Sequence, residues 1–386
     1  MSFGILFLIV ACGLVGRLLA GARLFSMPLI LGEIAAGVIV GRTGLNLLPT
    51  HDATLSFLSL VGLAMLEFLV GTRLPLRNPS LRADLKSGVW ATALAFAFAV
   101  PAGLVFAHLT HIGHWPMLAV LFAASSAAIV MPIVVEQKLD GPIVVRTVTW
   151  VALADTSTVV ALSVALSTGE TPQVIFGSVL VVALAAGAFL FLRFFDSTET
   201  GNRYRKLSKD RGWALDLQMD LLLLFGLTWL ATAFGASVLI AGFAAGAVVA
   251  LLDMPNRLSK QLVGLGQGFF VPLFFVDLGA RLDFRGLFSS PAAIVLALSI
   301  WLVAVLLHVA VARIVKLPVA SGLMASSQSG VPAAVASLGM AQGILTASQG
   351  AAVVSAMLLL LITCSIGASK FAPKGRSNTG SGGANG

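Results

Sequence analysis

Long apolar stretches recur along the whole chain, each closed by a short polar or glycine-rich turn. They fall into thirteen intervals: 3–20, 28–46, 54–72, 86–108, 115–136, 142–167, 173–195, 213–234, 236–253, 263–281, 290–312, 319–342 and 347–369. An α-helix rises about 1.5 Å per residue, so about 20 apolar residues cross the ~30 Å hydrocarbon layer of a bilayer. The pattern predicts an all-α polytopic membrane protein with 13 transmembrane helices. The first interval ends in Ala20-Gly21-Ala22, which mimics a signal-peptide cleavage site. Its leading MSFG carries no basic residue and Arg17 comes late, so the interval is read as a spanning helix.

Composition strengthens this reading. Hydrophobic residues make up 58% of the chain and charged residues 10%, where a soluble domain is about a quarter charged. The formal net charge of +8 raises the question of a nucleic-acid partner, and the placement of the charges answers it. With the N-terminus outside, 21 of the 24 Lys and Arg residues lie in the segments on one face, and only Arg42, Arg281 and Arg285 on the other. Cytoplasmic loops carry that excess. The expected setting is a plasma (inner) membrane, with the C-terminus cytoplasmic, the lipid bilayer as partner and no nucleic acid. The basic stretch 196–212 reads as a cytoplasmic linker within a transmembrane unit of residues 1–370, and the Gly/Ser/Asn-rich tail 371–386 as disordered.

Three sequence pairs suggest an internal repeat. FLVGTRLPLR (68–77) aligns with VDLGARLDFR (276–285), GEIAAGVIVG (32–41) with AGFAAGAVVA (241–250), and ASSAAIVMP (124–132) with ASSQSGVP (325–332). Each pair lies seven spans apart, so its members run oppositely through the membrane. Inverted-topology repeats of this kind belong to secondary transporters, whose sites form near the midplane where interrupted helices meet. The repeat halves are expected at about 28–167 and 236–369. Spans 5 and 12 carry the polar interruptions: Ser125 and Ser126 ahead of Pro132, and Ser326, Ser327, Gln328, Ser329 and Gly330 ahead of Pro332. Such residues either let a helix unwind beside a wet cavity or merely allow close packing. Gly37-x-x-x-Gly41 and Gly242-x-x-x-Gly246 are close-packing motifs that suit a dimer interface or intrachain contacts equally.

Chemistry narrows to a few titratable groups. Asp155 lies about halfway through span 6, followed by Thr156, Ser157 and Thr158. An acid at the bilayer centre costs roughly 2.5–3.5 kcal/mol on insertion scales and marks an ion or proton path; a protonated, hydrogen-bonded Asp is the structural alternative. His308 in span 11 is a candidate pH-sensitive partner for Asp155 or a neutral core histidine. Asp277 is a candidate accessory acid or, standing four residues before Arg281, one half of a helical ion pair. Glu67 and Glu33 are candidate accessory acids guarding a cytoplasmic funnel, or interfacial glutamates. The loop HLTHIGHW (108–115) is either a weak zinc pattern or interfacial filler. Cys12 and Cys364 lie in apolar runs and show no disulfide or metal spacing. There is no Walker loop, GxGxxG or nucleophile elbow, so neither a cofactor nor enzymatic catalysis is expected.

These residues carry a resemblance. MPLILGEIAAGVIVGRTGL (27–45), FLVGTRL (68–74), ASSAAIVM (124–131), LADTS (153–157) and FFVPLFFVDLGARLD (269–283) together resemble the monovalent cation:proton antiporter-2 family of the sodium/proton exchanger superfamily. The resemblance implies a thirteen-helix, sodium/proton antiporter-like protomer, usually a homodimer, whose core domain moves against a dimerisation domain. It implies that Asp155 is the essential ion- and proton-binding aspartate, with Ser125 and Ser126 at the crossover beside it. Two departures stand out: Ala154, where the family often has an acid or amide, and His308, where several members have lysine or arginine. One titrating acid suggests electroneutral exchange of one Na⁺ or K⁺ for one H⁺. An organic-anion carrier on a related fold and a transport-inactive membrane sensor are the alternatives.

Overall fold

The computed structural model describes residues 2–21, 29–50, 52–72, 84–167, 171–196, 215–252 and 256–371, with scattered positions between 198 and 211. The predicted linker 196–212 is therefore largely outside the described residues, as is the tail beyond Phe371. In chain order the helices are α1 (Phe3–Gly21), α2 (Leu29–Val40), α3 (Ala53–Thr72), α4 (Leu85–Thr110), α5 (Trp115–Ala123), α6 (Ala127–Glu136), α7 (Pro142–Ala165), α8 (Thr171–Asp196) and α9 (Leu215–Ala233). Then come α10 (Val238–Leu251), α11 (Asn256–Leu265), a π-turn (Gly266–Phe270), α12 (Val271–Arg281), α13 (Phe284–Ser289), α14 (Pro291–Ile314), α15 (Val319–Ala325), α16 (Gly330–Ala341) and α17 (Ala347–Ser369). Among the described residues, eight helical segments are long and apolar enough to cross a membrane, and four shorter apolar helices accompany them.

Helix ends follow local chemistry. Thr346 and Gln349 form a reciprocal cap that starts α17, each side chain bonding the other's backbone. Ser290 accepts from the Ala293 N–H ahead of α14. His114 caps α5 by accepting from the Met117 N–H at 3.4 Å, which gives one of the three loop histidines a structural task. Pro272 cannot donate to the ladder, and the π-turn lies directly before its helix. Such turns absorb an extra residue where the α-pattern is interrupted.

The helices pack as two groups. One gathers α1–α3 with α8–α12, and the other gathers α4–α7 with α14–α17. Two glycine seams build the first group. Gly37 and Gly41 on α2 lie against the backbone of Val276 and Ala280 on α12. Gly242 and Gly246 on α10 lie against Ala64 and Phe68 on α3. A Cβ at any of the four would strike backbone, so only glycine permits the approach. Both motifs thus serve intrachain contacts. Under the sequence pairing of span 2 with 9 and span 3 with 10, the two seams are images of each other. The groups meet where α7 faces α10 and α3, and where α16 faces α3 and α12.

Candidate functional site

Both polar interruptions are real breaks. Span 5 divides into α5 and α6 at Ala124–Ser126, and span 12 into α15 and α16 at Ser326–Ser329. The prolines are not in the breaks. Pro332 sits in the first turn of α16, where a missing N–H costs nothing, and Pro132 lies inside α6. The unwinding therefore belongs to the serine and glutamine run, not to proline.

A helix broken inside a membrane exposes carbonyls at the end of its first half and N–H groups at the start of its second. Here each broken span supplies the other's caps. The Ser125 hydroxyl donates to the Ala325 carbonyl at the end of α15. The Gln328 amide donates to the Leu121 and Ala124 carbonyls at the end of α5, at 2.8 and 3.1 Å. The Ser126 and Ser329 hydroxyls bond each other at 2.6 Å. All four side chains are buried.

Asp155 stands beside this crossover. Its Oδ2 accepts from the Ala127 N–H, the first of α6, at 2.9 Å. A helix N-terminus carries partial positive charge, so this placement favours a carboxylate or an ion bound to it. Asp155, Thr156 and Ser157 are half-buried, so the carboxylate is not sealed into packing. The two second half-helices differ in exposure: Met131 and Val135 on α6 are exposed, whereas Val331 and Ala333–Ala336 on α16 are buried. Thr156, Ser157 and Thr158 donate to the carbonyls of Ala152, Leu153 and Ala154, which leaves their oxygen lone pairs as acceptors.

Glu67 is brought to the same place from the other helix group. It is 1% exposed and within electrostatic reach of Asp155. Its Oε2 has no hydrogen-bond partner among the described residues, and a Cβ on Gly330, the first residue of α16, would come within 3.8 Å of its Oε1. Each carboxylate thus stands near the N-terminus of one broken half-helix, Asp155 at α6 and Glu67 at α16. Sequence order hides this, because the two acids lie on spans that meet only through tertiary packing.

The remaining candidates are engaged elsewhere. Glu33, 2% exposed, pairs with the Arg17 Nε at 3.0 Å, and Arg17 also donates to the Gln267 carbonyl in the π-turn. Arg17 was not marked as a partner by the sequence; its late position inside an apolar run is the signal that points to it. Asp277 pairs with Arg281 at 2.9 Å, and Arg281 reaches Ser56. His308 is fully buried, with Nδ1 bonded to the Ala304 carbonyl at 2.8 Å and its ring stacked on Trp150, five residues before Asp155 on α7.

Comparison with known proteins agrees with this geometry. Residues 6–370 match the family described as "Sodium/hydrogen exchanger, transmembrane". The chain is 26% identical over 286 residues to the putative Na⁺/H⁺ antiporter YjbQ of Bacillus subtilis, covering 70% of this chain and 46% of that protein. It is 26% identical over 304 residues to a Na⁺/H⁺ antiporter of Enterococcus hirae, covering 77% of each. It is 26% identical over 277 residues to the glutathione-regulated potassium-efflux system protein KefC of Shigella sonnei, covering 70% of this chain and 44% of that protein. The chain thus spans less than half the length of YjbQ and KefC. The solved sodium proton antiporter MjNhaP1 of Methanocaldococcus jannaschii, at pH 8, superposes with a TM-score of 0.64 over 96% of this chain and 98% of that one, at 17% identity. That likeness establishes a common fold.

Proposed function

Because the chain belongs to the sodium/hydrogen exchanger family, we propose that it exchanges Na⁺ or K⁺ for H⁺ by alternating access, with both ions competing for Asp155. The observation that carries this reading is a half-buried carboxylate aimed at the N-terminus of a broken half-helix, in a membrane-embedded crossover. A hard monovalent cation needs oxygen ligands. Asp155, the lone pairs of Thr156, and the hydroxyls of Ser125 and Ser126 supply them in this reading. Glu67 presents a carboxyl group from the opposite helix group, in its neutral form a further oxygen ligand, so an ion at Asp155 bridges the two groups.

The coupling follows from desolvation. A bare carboxylate is too costly to carry across a dry barrier, whereas its complex with either a proton or a cation is neutral. Asp155 therefore crosses only when loaded, and the loads exclude one another. Exchange of one cation for one proton through this one seat is electroneutral. With the basic face inward, α6 runs toward the cytoplasm and α16 toward the outside. The reading also takes the protein as thirteen spans in an inner membrane, N-terminus outside, and as a homodimer.

The test is exchange in proteoliposomes that trap a pH dye. Na⁺ or K⁺ pulses should move the internal pH in the wild type and not in Asp155→Asn. Flux driven only by organic acids would favour the anion-carrier alternative.

A further inference from the structure

A break in a membrane helix is stable only if its orphaned carbonyls find donors, because the surrounding layer holds no water to supply them. At the end of α5 that donor is one side chain, Gln328, which is 1% exposed and reaches over from the other broken span. Both acceptors are carbonyl oxygens, so the face of the amide turned toward them must be its NH₂. A single nitrogen holding two hydrogens serves both. A hydroxyl or a carboxylate of similar reach has at most one.

The effect of this clasp extends to the site. The Leu121 and Ala124 carbonyls bracket the last turn of α5. Two residues beyond Ala124, Ser126 is tied to Ser329, and the next residue, Ala127, presents its N–H to Asp155. The three bonds are consecutive along one extended stretch, so the first holds the aim of the last. We propose that Gln328 is a positioning residue for exchange: it clasps the carbonyl end of α5, keeps the Ala127 N–H directed at Asp155, and makes the two broken spans move as one unit. This rests on the antiporter reading of Asp155. Gln328 does not touch the transported ion; it acts through the α5–α6 backbone. The amide's Oε1 is buried without a hydrogen-bond partner among the described residues, so the two N–H groups carry the role.

The test uses full-length protein and two independent readouts. The first is the pH dependence of carbodiimide labelling at Asp155, followed by mass spectrometry, which requires a protonated carboxyl and no transport. The second is cation-driven exchange across pH. Gln328→Met keeps the length and removes both donors. Its labelling midpoint should move toward alkaline pH by about one unit, a tenfold change in proton affinity, with the exchange profile moving the same way. Gln328→Glu should approach the wild type in acid, where a protonated carboxyl still donates one bond, and fail progressively as that carboxyl ionises against two carbonyl oxygens. Gln328→Asn, which keeps the amide but is one methylene too short to reach both carbonyls, should shift labelling in the same direction and covers the case in which Gln328→Met does not fold. Labelling midpoints identical to wild type in the folded variants, or Gln328→Met and Gln328→Glu profiles that differ from wild type only by a constant factor, would overturn the proposal. A wild type that labels normally but exchanges no cation would instead remove the antiporter reading, while the labelling shifts would still decide the role of Gln328.

Discussion

Replacing Ala127 by proline removes the hydrogen that bonds Asp155 and puts the ring Cδ in its place, so the Asp155 Oδ2 loses its donor and must also withdraw from it. Ala127 is the first residue of α6, a position where proline is well tolerated because that N–H has no intrahelical partner. The residue before it, Ser126, already has φ −138° and ψ 108°, the extended conformation that a following proline requires. The substitution therefore deletes the 2.9 Å bond to Asp155 Oδ2 without breaking the helix. A hydrogen bond to a charged group contributes about 1.5–3 kcal/mol, and 1.36 kcal/mol corresponds to roughly one pH unit. Asp155 is half-buried, so water will replace part of the loss and the lower end of that range applies. The lost bond stabilises the ionised form, so protons compete better at Asp155 without it. The pH of half-maximal cation exchange should move up by about one unit, measured with a trapped pH dye in proteoliposomes. Ala127→Ser, which keeps the N–H, is the control. A folded Ala127→Pro protein with an unshifted profile would refute the idea that this N–H supports the ionised carboxylate.

Two further outcomes follow. Arg17→Leu leaves Glu33 as an unpaired buried acid. A pair at 3.0 Å has a gross attraction of about 5 kcal/mol at an effective dielectric near 20, and breaking a buried pair costs about 3–5 kcal/mol. Because Arg17 is 32% exposed, about 3 kcal/mol is expected by SDS-driven unfolding in mixed micelles, and Arg17→Leu/Glu33→Gln should recover most of it; equal instability of the single and double variants would refute the pairing. Glu67→Leu, which removes the carboxyl oxygens, should raise the cation concentration for half-maximal exchange by up to about tenfold, the upper end of what one neutral polar contact contributes, and an unchanged value in the folded variant would remove Glu67 from the site.

The division between what sequence could and could not reveal has physical causes. Spanning helices are legible because lipid imposes one length and one chemistry on each. The breaks were visible as Ser125-Ser126 and Ser326–Ser329, since consecutive small polar residues are costly in an apolar run. Their partners were not visible, because Gln328 and Ala124 are 204 positions apart and meet only by folding. The prolines nearby are not part of the breaks: Pro132 and Pro332 lie after them, within helices. The glycine motifs announced close approach but not the surface approached, which turned out to be α12 and α3 of the same chain. Glu33 looked like Glu67 from sequence, each a lone acid near an inner helix end. Packing separates them, giving one to Arg17 and the other to the neighbourhood of Asp155.

The central claim is that a proton and a cation take turns at Asp155. Its most direct measurement is the cation concentration for half-maximal exchange at several pH values, with Asp155→Asn in matched vesicles. Competition at one seat predicts about a tenfold rise for each unit of acidification on the acid side, an unchanged maximal rate, and no exchange in Asp155→Asn. A half-maximal concentration that stays constant while the maximal rate falls, or exchange that survives in Asp155→Asn, would contradict it.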